Sequence, residues 1–116
     1  MDLLTRLFGA ATAGVSPAEA QARLNQKNKP FILDVRQPEE FRSGHIPGAR
    51  LIPLGELPRR LKELPKDQEI LCVCRSGNRS ATATRQLIAA GYKAFNLQGG
   101  MLAWAQAGLP VKKERA

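Results

Sequence analysis

Three short apolar runs, each followed by a segment that patterns as a helix, constrain this chain more than any other feature. "PFILDV" (30–35), "EILCVC" (69–74) and "YKAFNL" (92–97) are strand-length and rich in β-branched or aromatic residues. The first two carry almost no polar alternation, as expected of strands covered on both faces. After them come "QPEEF", "GNRSATATRQLIAAG" and "GGMLAWAQAGL", which have helical spacing and stop at glycines. Strands alternating with helices predict an α/β domain: a small parallel sheet with helices on both faces and right-handed crossovers. At 116 residues there is room for one such domain and no second core.

The domain is expected to occupy residues 16–111, between an N-terminal extension (1–15) and a polar tail (112–116). Its first helix opens at "SPAEA", where Ser16, Pro17 and Glu19 form a capping-box sequence. "RLIPL" reads as a weak strand and "GELPRRLKELP" as a short helix closed by Pro65. The long helix is expected over 79–90, with Ala81, Leu87, Ile88 and Ala90 inward. In the extension, Leu3, Leu4, Leu7 and Phe8 suit a docked terminal helix.

Charge and cysteine content exclude several classes of function. The net charge is +8, yet the 18 basic residues are scattered and few aromatics lie among them, so nucleic-acid binding is not the expectation. A basic balance equally suits a small anionic substrate. Two cysteines spaced Cys-x-Cys are poorly placed to bond to each other, and a single histidine leaves a Cys/His metal site without its parts. No cofactor is called for. No apolar run is long enough to cross a bilayer and no secretory signal is visible, so a reduced thiol in a cytoplasmic protein is the expectation.

Cys74 stands where chemistry is expected in a parallel sheet, at the carboxyl end of a strand and just before a helix. The intervening "RSGNRS" is short, polar and contains glycine. It can turn successive N–H groups inward as an anion-binding nest, with a helix N-terminus behind it. Such a cradle lowers a cysteine pKa, and Arg75 and Arg79 add positive charge at the rim. Cys72, between Leu71 and Val73, reads as a core residue instead.

"CRSGNRS" resembles the active-site loop of rhodanese-type sulfurtransferases. "ILDVRQPEEFRSGHIPGARLIPL" is similar to the N-terminal signature of that family, and "NLQGGMLAWAQAGLPV" to its C-terminal one. The resemblance implies sulfur transfer from thiosulfate, or a similar small anionic donor, to cyanide or a thiol through a persulfide on Cys74. It implies that Arg75, Ser76, Gly77, Asn78, Arg79 and Ser80 bind the substrate or hold the persulfide, with Ser80 donating its hydroxyl and capping the helix. A relay module passing sulfur between proteins is the alternative. Phosphatase chemistry is disfavoured by a count: a Cys-x5-Arg loop needs arginine at position 80, and here arginine comes one residue early, at Arg79.

The remaining polar residues read as structural. Asp34 and Arg36 end the first clear strand and are expected to pair, with the resemblance suggesting that they support the pocket floor. His45 is expected to bond to backbone within its turn-rich loop rather than to serve Cys74 as a base. Glu39 and Glu40 suit the first turn of a helix, with no catalytic pair implied. Trp104 reads as core and the Lys112, Lys113, Arg115 tail as solvated.

Overall fold

The structure, a computed structural model, describes residues 14–114, so the Leu3–Phe8 pattern and Arg115 lie outside the described residues. Five parallel strands form one sheet in the order β1-β5-β4-β2-β3. They are β1 (Gly14–Val15), β2 (Phe31–Asp34), β3 (Arg50–Leu51), β4 (Ile70–Val73) and β5 (Ala94–Leu97). Four α-helices accompany them: α1 (Pro17–Leu24), α2 (Pro38–Ser43), α3 (Asn78–Ala89) and α4 (Gly100–Gln106). The "GELPRRLKELP" segment forms a 3-10 helix over Leu54–Glu63, kinked at Arg60, rather than an α-helix. Pro58 lies inside it and removes a backbone donor, which disfavours a continuous α-helical ladder.

Both faces of the sheet are covered. Leu33, Ile70, Cys72 and Cys74 face α3 and the 3-10 helix, packing with Leu57, Ala83 and Leu87. Ile32, Leu71, Val73 and Phe95 face the other way, against Ala20 of α1 and Met101 and Trp104 of α4. The period of two explains why Cys72 and Cys74 share a side. All four residues of β4 are buried, as a central parallel strand requires.

The capping box of α1 is present: the Glu19 N–H donates to Ser16 Oγ (3.1 Å) and the Ser16 N–H to Glu19 Oε1 (2.8 Å). In α3 the inward face is the expected one at Leu87, with Ala90 also packed against the core, and differs elsewhere. It consists of Ser80, Ala83, Thr84 and Leu87, whereas Ala81, Ile88 and Ala90 are half-buried. Two polar residues are buried there because they serve neighbours rather than the apolar core, and apolar spacing does not register them. The described tail residues are exposed, as a solvated end should be, and their backbone is tied to the domain. His45 and Lys112 exchange backbone hydrogen bonds (3.0 and 2.8 Å), and the Glu114 N–H donates to the Arg42 carbonyl (3.0 Å).

Candidate active site

The site is the turn between β4 and α3. Strand β4 carries Cys74 to the sheet edge, and the chain must then reverse into α3 within three residues. Gly77 makes that reversal possible at φ +106°, a conformation other residues rarely adopt. As the N-cap of α3 it directs its N–H to Cys74 Sγ at 3.1 Å. From the first turn of α3 the Ser80 hydroxyl donates to the same sulfur at 3.2 Å. Ser80 does not cap the helix, contrary to expectation: Gly77 holds that position, and the Ser80 side chain is spent on the sulfur.

Cys74 is 1% exposed. Burial is the largest single influence on its thiol and opposes ionisation. The Ser80 hydroxyl and the N–H groups of Ser80, Gly77 and Ser76 together outweigh it, leaving the pKa below the usual 9.0. Cys72, two residues away, has no such cradle, and burial pushes its pKa up to about 12. Both thiols are free. The result is one thiol prepared to ionise beside one held neutral.

The arginines of the loop have different surroundings. Arg75 is exposed and, among the described residues, has no carboxylate partner. Arg79 donates from both terminal nitrogens to Glu40, at 2.8 Å to Oε1 and 2.9 Å to Oε2. Glu40 also accepts from the Gln37 N–H (3.0 Å) at the start of α2. Bonding to Arg79 is the main cause of its depressed pKa, about 2. Ser76 and Asn78 are exposed at the mouth.

Asp34 and Arg36 form a buried ion pair beneath this region. The Arg36 Nη2 reaches Asp34 Oδ2 at 2.8 Å and the Gly44 carbonyl at 2.7 Å, joining the end of β2 to the end of α2. His45 takes the expected backbone bond, Nδ1 to the Phe41 carbonyl at 2.7 Å, and stacks on the Phe41 ring. Trp104 is fully buried, with Nε1 donating to the Pro110 carbonyl at 2.8 Å.

Three supports were not legible as parts of the site. Helix α4 begins against the loop backbone, its Met101 and Leu102 N–H groups donating to the Cys74 and Arg75 carbonyls at 2.9 and 3.0 Å. Asn96 on β5 donates from Nδ2 to the Gly77 carbonyl at 3.1 Å, while its buried Oδ1 has no partner. Glu40 is the third. The signals were an adjacent Gly-Gly at the start of α4, a polar residue within the β5 run, and an acid whose capping role concealed its second partner.

A thiol over the N-terminus of a helix, in a parallel α/β sheet, is the arrangement that suits a cysteine nucleophile. Residues 16–107 match the rhodanese-like domain family, and the chain belongs to that family. A sulfurtransferase of Allochromatium vinosum is 41% identical over 90 residues, covering 77% of this chain and 84% of that protein. YrkF of Bacillus subtilis, whose name is that of a sulfur carrier, is 46% identical over 74 residues, 63% of this chain and 40% of its own length. The crystal structure of a rhodanese-related protein from Thermoplasma volcanium aligns with a TM-score of 0.80 at 32% identity, covering 85% of this chain and 96% of that one. Sulfur transfer or sulfur carriage is the function that the family and these relatives support.

Proposed function

We propose that this protein transfers sulfane sulfur from thiosulfate, or a similar donor, to a thiophilic acceptor such as cyanide or a thiol, through a persulfide on Cys74. The observation that carries the proposal is the convergence of the Gly77 N–H and the Ser80 hydroxyl on Cys74 Sγ, at 3.1 and 3.2 Å. In the first step the Cys74 thiolate attacks the outer sulfur of thiosulfate. A new S–S bond forms, the bond between that sulfur and the SO3 group breaks, and its electron pair leaves with sulfite. In the second step the acceptor attacks the outer sulfur of the persulfide, and the Cys74 thiolate is the leaving group. The loop amides stabilise the anionic sulfur in both steps without reorganising, as an oxyanion hole does for oxygen. Asn78 lines the mouth, Arg75, unpaired among the described residues, offers its charge to the donor, Arg79 stands at the rim bonded to Glu40, and Asp34 with Arg36 supports the floor.

A second reading has a protein at one or both ends of the relay. It is favoured by the likeness to a protein named as a sulfur carrier and by the engagement of Arg79 with Glu40, which leaves less charge free for a small dianion.

Mass spectrometry after thiosulfate exposure tests the central step. Wild type and Cys72→Ser gain one sulfur atom, lost again on adding cyanide or a thiol, while Cys74→Ser gains none. Equal loading of the two serine variants would remove the assignment of separate roles. No added sulfur on wild type from any donor would end the persulfide reading.

A further inference from the structure

The charge arrangement at the mouth differs from that of a simple dianion site. Glu40 occupies both terminal nitrogens of Arg79. Its carboxylate is held in place from its own helix by the Gln37 N–H, so it keeps its position whether or not Arg79 is bound. Arg79 also lies close enough to Cys74 to feel the charge of the thiolate. With Cys74 ionised, Arg75 and Arg79 carry two positive charges and Cys74 and Glu40 two negative ones. Among these four groups a doubly charged donor therefore meets no excess of positive charge. An end-on bidentate grip by Arg79 would require the two nitrogens that Glu40 holds, leaving Arg75, unpaired among the described residues, as the free arginine.

We infer that Glu40 is a specificity-determining latch, which withholds Arg79 from small dianions and so favours donors that do not need it, namely hydropersulfides of thiols. The inference rests on sulfur transfer through Cys74 and names the donor class for that site. A hydropersulfide RSSH gives its outer sulfur to the Cys74 thiolate. A new S–S bond forms between Cys74 and that sulfur, the donor's own S–S bond breaks, and its electron pair leaves with the thiolate RS⁻ while the proton stays on the Cys74 persulfide. The donor brings no charge and a single charge leaves on RS⁻, without the doubly charged oxyanion that thiosulfate brings and sulfite carries away. The bidentate contact keeps Glu40 ionised well below neutral pH, so the latch does not open by protonation near neutrality.

Two readouts on Glu40→Gln test the latch, with Glu39→Gln, an exposed neighbour on the same helix, as the charge control. The first is the rate of Cys74 sulfur loading from thiosulfate and from cysteine hydropersulfide. The second is the sulfate concentration that protects Cys74 from alkylation by iodoacetamide, which reports dianion binding without sulfur transfer. Glu40→Gln should raise kcat/KM for thiosulfate by about tenfold, the order expected when one charge-assisted contact becomes available to the donor. The hydropersulfide rate should stay within about twofold, and sulfate should protect at correspondingly lower concentration. Glu39→Gln should change none of these. A parallel fall with both donors would show that Glu40 only holds the loop together, and unchanged thiosulfate and sulfate behaviour would overturn the latch. If neither donor loads wild type, the sulfur-transfer reading fails while sulfate protection still decides whether Glu40 guards Arg79. Glu40→Ala repeats both readouts should Glu40→Gln fold poorly.

Discussion

At the residue scale, the two cysteines show that neighbourhood, not identity, decides how readily a thiol ionises. Cys72 on β4 and Cys74 just past its end face the same side of the sheet, and both are almost fully buried. Burial dominates at Cys72, whereas at Cys74 directed donors reverse it. Only the thiolate attacks sulfur, so the rate should rise with pH through the Cys74 pKa and then level off, and a lowered pKa moves that plateau toward neutral. Ser80→Ala deletes the hydroxyl, raises the pKa and shifts the rate profile to higher pH. The loss at pH 7 should be on the order of tenfold and should shrink at high pH. The alkylation rate of Cys74 across pH checks this, and an unshifted profile would mean that Ser80 is not a donor that matters. Cys74 was legible as the candidate nucleophile because a cysteine stands between an apolar run and a polar glycine loop. The two duties of Glu40 were not, because its capping position accounts for an acid there with no reference to Arg79, 39 residues away.

At the element scale, α4 holds the loop in place. Gly100 begins the helix at φ +57°, and a Cβ there would come within 2.5 Å of the Cys74 and Arg75 carbonyl oxygens. That contact is with backbone and cannot be relieved by a rotamer change, so the helix must retreat and loosen the Met101 and Leu102 N–H bonds to the loop. Gly100→Ala should therefore cost about 1–3 kcal/mol in urea unfolding and most of the activity. Gly108→Ala is the matched comparison, being also left-handed at φ +71° but with open space around it. It should cost roughly 1 kcal/mol of strain and leave activity intact. Equal activity losses in the two would show that backbone strain, not the fit of α4 against the loop, is what matters. Strand and helix order was readable from alternating apolar runs, but the 3-10 geometry of Leu54–Glu63 was not. Proline positions mark a break in an α-helix without specifying which tighter ladder replaces it.

At the scale of the whole molecule, the buried Asp34–Arg36 pair links the sheet to α2. Arg36 bonds to Asp34 and to the Gly44 carbonyl, and the β2 backbone accepts the Ile52 N–H at the Asp34 carbonyl. Asp34→Ala would leave a buried guanidinium without its counter-charge, at a cost of about 3–5 kcal/mol measured by denaturant unfolding. A loss below about 1 kcal/mol would mean that solvent or rearrangement compensates. The sequence alone determined the parallel α/β architecture, the family signatures and the position of Cys74, because these follow from local periodicity, turn chemistry and one short loop. Tertiary structure alone decided which donors converge on the sulfur, that α4 and Asn96 brace the loop, and that Glu40 claims Arg79. Those contacts join segments far apart in the chain, and their partners are chosen by three-dimensional packing, which local periodicity does not encode.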